Sequence, residues 1–330
     1  MAKLNNPVDV VRWMGAVQAQ DFNAAKWALA LRMRAATNLA IEEAFNKGEI
    51  LRTHVMRPTW HFVAPDDIRW LLQLTSARVN LRSGPNYRKL ELDTSVFKRS
   101  NKVLTNALQG GKYLTRSALK AALNRAGIDA KDPVRLAHIL LRAELDAVVC
   151  SGPRAGKQFT YALLEERVAP AKTFNREEAL TEITRRYFKS HGPAMLQDFV
   201  WWSGLTVEDA KRGIAQVERE FEKETWDGRI YWGPHLSQTK LHYATHLLPA
   251  YDEYFVAYKD RQTVVHMKNG KPALTSWDVL GPTFIIDGIA AGTWKRTGSG
   301  PIEFNSSREL VKSEKLALSD AADRYSAFLG

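Results

Sequence analysis

The chain has 330 residues, more than a single hydrophobic core usually organises, so about two to four packed modules are expected. Its 45% hydrophobic content excludes long disorder, and a formal charge of +11 with a pI near 9.6 points either to a polyanionic partner or to a solvated basic surface. Cys150 is the only cysteine, which excludes an internal disulfide and a cysteine-cluster zinc site and fits a reducing compartment, and no apolar stretch is long enough for a signal peptide or a membrane span, so a cytoplasmic protein is expected.

Apolar residues at helical spacing predict a first helix from Pro7 to Val17, a second with Asn23 as cap, and a third that Asn38 caps and Gly48 ends. The β-branched and aromatic stretch from Ile50 to Val63, with a turn around Arg57 and Pro58, reads as a hairpin. Three helices and a hairpin make a winged helix. The order recurs from Asp93: a helix across Val96 to Leu108, a helix capped by Thr115, a helix opened by Asp132 and Pro133, then strand, basic turn and strand. A third copy starts with EEALTEITRRYF and holds the best helix-turn-helix signal, a helix ending at Gly204 and another capped by Thr206, followed by a hairpin turning at Asp227 and Gly228. From Leu241 onward YFVAY, TVVHM, PTFIID and GIAAGTW read as short strands, closed by a final helix. The expected fold is therefore α+β, mainly α with β wings. It comprises winged helices at 1–92, 93–172 and 173–240 and a β-rich, barrel-like domain at 241–330.

The segments QAQDFNAAKWALALR, RTHVMRPTWHFVAPDDIRWLL, HLLPAYDEYFVAYKDR and IDGIAAGTWKR together resemble the winged-helix DNA-binding family that includes the AlkZ-type DNA glycosylases, enzymes that remove alkylated purines and unhook interstrand crosslinks. The resemblance runs from about Pro7 to about Arg296. It implies three winged helices curved around a channel, a C-terminal β-barrel, and a catalytic motif of two glutamines flanking an apolar residue, which falls on Gln18, Ala19 and Gln20. Duplex DNA is the implied partner. No cofactor, metal or membrane is implied, and a monomer is expected.

An N7-alkylated purine is already a good leaving group, so the remaining work is to place water near C1′ and to stabilise an oxocarbenium-like state. Neutral amides suit this task, since each Gln offers an acceptor oxygen and two N–H donors, although neither is a strong general base. The competing reading has both glutamines filling backbone donors and acceptors in a helix-to-helix turn. Asp21 beside them is either a base or a cap for the next helix, capping being the commoner role.

Arg52, Arg57, Trp60 and His61 alternate charge and aromatic character on the first hairpin, which suits phosphate contact and stacking on a base, or ordinary strand packing. Arg154 and Lys157 at the second hairpin tip, and Lys295 and Arg296 beside flexible glycines, are further candidate DNA contacts. His242 and His246 are spaced for one helical face but lack further ligands at a recognised spacing. The leading function is a monofunctional glycosylase for alkylated purines. The alternative is a non-enzymatic DNA-binding protein or transcriptional regulator, which would be dimeric and would read two half-sites.

Overall fold

A computed structural model describes residues 3–171, 173–234, 244–268, 271–275, 277–298 and 300–330. One layout occurs three times. In the first, α1 (Pro7–Met14) is capped by the Asn6 side chain and has Pro7 in its first turn, where a missing N–H costs nothing. It is followed by β1 (Val17–Gln18), α2 (Phe22–Leu31), α3 (Asn38–Lys47) and the hairpin of β2 (Leu51–His54) and β3 (Trp60–Val63). Strand β1 joins the hairpin in the order β1-β3-β2, with Val17 opposite Phe62 and Gln18 opposite His61.

The long α4 (Pro65–Lys89) leads to the second unit, made of α5 (Thr94–Leu108), β4 (Leu114–Thr115), α6 (Arg116–Arg125), α7 (Pro133–Leu145), β5 (Val149–Ser151) and β6 (Thr160–Leu163), with sheet order β4-β6-β5. Short α8 (Leu164–Arg167) connects to the third unit, formed by α9 (Arg176–His191), α10 (Leu196–Ser203), α11 (Val207–Val217) and the hairpin of β7 (Glu222–Trp226) and β8 (Arg229–Gly233). Here a lone bridge between Ala194 and Trp232 takes the place of the short strand.

Local chemistry explains these boundaries. Asp93, Thr115, Asp132 and Thr206 each accept a backbone N–H of the helix that follows, and Asn175 with Glu178 forms a reciprocal capping box. Asp227 and Gly228 both have positive φ, as a primed hairpin turn requires. Of the two caps the sequence offers for α2, Asp21 rather than Asn23 is the one used, and α3 is capped by Thr37, one residue before the expected Asn38. The 25-residue α4 is unassigned in the sequence reading.

The last part contains β9 (Thr245–Leu248), α12 (Glu253–Val256), β10 (Met267–Lys268), β11 (Lys271–Pro272), β12 (Thr283–Ile286), β13 (Ile289–Arg296), β14 (Ile302–Ser306) and α13 (Lys312–Leu329). Its main sheet has the order β14-β13-β12-β9 and is open among the described residues, so the barrel closure implied by the resemblance is not seen there. YFVAY is not a strand: Asp252 caps Tyr254 and makes the segment a helical turn, while TVVHM begins inside a 3-10 turn over Gln262–Val264 and only its last residue enters β10.

The first and last parts of the chain share a core. Trp27 packs against Tyr325 and Phe328 of α13, and its indole N–H donates to the Leu247 carbonyl at 2.6 Å. Arg32 forms two hydrogen bonds with the Asp252 carboxylate, at 2.9 and 2.7 Å. A second core joins β2, β3 and α4 to α9 and α10. Together these contacts bring α12 against the end of β1.

Candidate active site

The segment from Gln18 to Asp21 bridges β1 and α2. Pairing with β3 continues one residue past the strand, with the Ala19 amide donating to the Trp60 carbonyl at 2.7 Å. In extended backbone successive side chains alternate between faces. Ala19 is therefore fully buried in the core, while Gln18 is half-buried and Gln20 exposed. An apolar anchor between two outward amides is the physical content of the QAQ motif.

Three ionic side chains hold this segment. Arg52 is buried and donates from Nε to the Ala19 carbonyl at 2.9 Å and from Nη2 to the Gln20 carbonyl at 3.2 Å. Its guanidinium lies 4.3 Å from the Trp60 ring and 4.6 Å from Phe159, and burial brings its pKa down to about 10. Arg57 donates from Nη2 to Gln18 Oε1 at 2.9 Å and approaches His61 Nε2 at 3.3 Å. Burial, with Arg261 and Arg82 nearby, lowers the Arg57 pKa, yet an arginine stays cationic at neutral pH. Glu253 from α12 is the third: its Oε1 accepts the Gln18 backbone N–H at 2.6 Å and its Oε2 accepts the Trp202 indole N–H at 3.0 Å. Burial opposes the charge of Glu253, but His191, Arg57 and the Gln18 N–H outweigh it and hold the carboxyl below its ordinary range.

His61 is fully buried, with Nδ1 2.9 Å from the Thr59 carbonyl. Burial and the Arg57 charge push its pKa well below the usual value, so the ring is neutral and Nε2 is left to accept from Arg57. Trp60 stands half-buried at the edge of the site, its ring 4.4 Å from His54, which is locked to Glu144 at 2.6 Å. Asp21 is exposed and its carboxylate accepts the Ala24 amide at 3.0 Å, the geometry of a helix cap.

Arg52, Arg57, Trp60 and His61 thus gather around the glutamines, but Arg52 and His61 are buried and Arg57 faces inward to Gln18. Arg154 is half-buried with its guanidinium 4.2 Å from the Phe159 ring, whereas Lys157 is exposed at the tip. Lys295 pairs with Glu303 at 3.0 Å and Arg296 donates to the Gly300 carbonyl at 3.1 Å, both at the end of β13 and away from the glutamines in sequence. His242 lies outside the described residues, and His246 sits in β9, so no helical face joins the two. Sequence reasoning singled out neither Glu253 nor His191. The available signal was the acidic pair Asp252-Glu253 inside the HLLPAYDEYFVAYKDR segment.

The arrangement presents two neutral amides on a braced loop. Arg57 occupies one acceptor direction of Gln18 Oε1, and the Trp60 amide makes a long 3.4 Å contact with Gln20 Oε1, so each carbonyl retains a lone pair. Among the described residues no group of three or more His, Cys, Asp or Glu is placed to hold a metal, and no helix is long and apolar enough to cross a membrane.

Known proteins resemble this chain over most of its length. The interstrand DNA cross-link repair glycosylase of Streptomyces sahachiroi is 23% identical over 307 residues, 87% of this chain and 81% of the relative. The solved structure of the Streptomyces sahachiroi DNA glycosylase AlkZ superposes with a TM-score of 0.78 at 19% identity, covering 99% of this chain and 91% of the other. A family model described as DNA glycosylase AlkZ-like matches residues 11–328, and the chain accordingly belongs to the AlkZ-like DNA glycosylase family.

Proposed function

We propose that this DNA glycosylase hydrolyses the N-glycosidic bond of N7-alkylated purines in duplex DNA, including those that join the two strands in a crosslink, with Gln18 and Gln20 orienting the attacking water. The observation that carries the reading is the QAQ segment itself: a buried Ala19 and the buried carboxylate and guanidinium groups fix two outward amides on a loop. The cationic base departs without protonation, so the protein supplies water placement and a polar surround for the developing oxocarbenium ion. Neutral amides do this without adding positive charge beside a positive transition state.

The three repeated units act as winged helices, at 1–92, 93–172 and 173–240, with the C-terminal β-rich domain at 241–330 completing a DNA-binding monomer. Support comes from the shared layout of helix, short pairing segment, two helices and hairpin. Trp60 contacts the substrate at the loop, while Lys157, Lys295 and Arg296 contact phosphates further out.

The test is incubation with a duplex containing N7-methylguanine, with the released base detected by chromatography and the abasic site by alkaline cleavage. Release of the base is expected, and a duplex bound but left intact would overturn the reading.

A further inference from the structure

Gln18 is gripped at both ends. Its backbone N–H reaches Glu253, 235 residues away in sequence, at 2.6 Å, and its side-chain oxygen receives Arg57 at 2.9 Å. With both ends fixed, the rotatable bonds between them have little freedom, so the remaining amide group is held in one orientation. Glu253 cannot itself touch a substrate, because its side chain is fully buried. Its second oxygen is occupied by Trp202, and His191 Nε2 lies 3.6 Å from that same oxygen. A buried carboxylate is costly unless it is paired, and here the anion faces the loop backbone on one side and an aromatic and imidazole wall on the other.

We propose that Glu253 and Arg57 are a pair of positioning residues that act on the reaction through Gln18, Glu253 setting its backbone and Arg57 its amide plane. The inference rests on the glycosylase reading above. It assigns to α12, the element linking the last part of the chain to the first, a role in base release distinct from DNA binding. Trp202 orients the carboxylate, and neutral His61 limits Arg57 to donating toward Gln18 and its own Nε2.

The experiment is a double-mutant cycle in single-turnover base release from N7-methylguanine duplex, with duplex affinity and thermal unfolding measured on each variant. Glu253→Gln keeps the volume but removes the charge, and about a 10-fold or greater loss of rate is expected with affinity within about twofold. In the Gln18→Ala background the same change should cost no more than about a further twofold, because its effect passes through the missing amide. Arg57→Lys, which keeps the charge but loses the planar reach, should behave alike, and it carries the test if Glu253→Gln does not fold. A slow Gln18→Ala variant together with full activity of Glu253→Gln, or losses that multiply in the double variant, would overturn this inference alone. Wild-type rate in Gln18→Ala would overturn the site reading and the inference with it.

Discussion

Asp21 and His61 illustrate how neighbours decide what a residue does. Asp21 accepts the Ala24 amide, so its carboxylate is committed to the α2 terminus. Asp21→Asn should leave base release unchanged, whereas Asp21→Ala should lower stability by about 1 kcal/mol, read in chemical denaturation. Abolished release in Asp21→Asn would replace the glutamines with a carboxylate base. His61 is held neutral, its folded pKa lying well below the value of 6.5 expected when unfolded. A depressed pKa contributes stability that is present above about pH 6.5 and is lost as pH falls through the folded value, because the unfolded chain takes the proton first. Unfolding free energies at pH 7.5 and 5.5 should therefore diverge more in the wild type than in His61→Gln, and equal losses would contradict the assignment. The sequence showed the QAQ motif and the Arg57, Trp60, His61 grouping, since these lie close together in the chain. It did not show that Arg52 and Arg57 point inward, because burial of a guanidinium depends on partners such as Phe159 and Gln18 across the fold.

At the level of elements, the turn between α10 and α11 is a tight junction against the first hairpin. Gly204 has φ +70, and a Cβ there would stand 2.2 Å from the Met56 carbonyl oxygen. Met56 itself has φ 62 and donates its amide to Thr75 Oγ1 at 3.2 Å, so this close approach fixes the residue before Arg57. Gly204→Ala should destabilise the protein by about 1–3 kcal/mol, seen as a lower denaturant midpoint, and should also slow base release as Arg57 shifts. An unchanged midpoint would show that the contact carries no strain. Helix starts at Thr115, Asp132 and Thr206 were readable because a cap is local chemistry. The helical turn at α12 was not, since Asp252 is anchored by Arg32, 220 residues away. Helix α4 was obscured by Gly84 and Pro85, breakers in most contexts, which it accommodates near its C-terminal end.

Across the whole molecule, the first and last parts fold as one body around Trp27, Trp294 and α13. Trp27→Ala should cost about 3–5 kcal/mol and reduce base release through displacement of α12. The repeat of helices and hairpins was legible in sequence order, whereas the shared core was not, because it joins segments that periodicity treats separately. The net charge of +11 should appear as a steep salt dependence of duplex affinity, roughly 0.9 in log-log slope per phosphate neutralised. The central claim is that Gln18 and Gln20 serve the transition state rather than DNA binding. Its most direct test is single-turnover release of N7-methylguanine by the wild type, Gln18→Ala, Gln20→Ala and the double variant, with duplex affinity measured alongside. Each single variant should lose about 10- to 100-fold in rate at nearly unchanged affinity, and the double variant less than the product of the two losses, because two amides holding one water act as a unit. Wild-type rates in the glutamine variants, or rate losses matched by equal losses of affinity, would contradict the account.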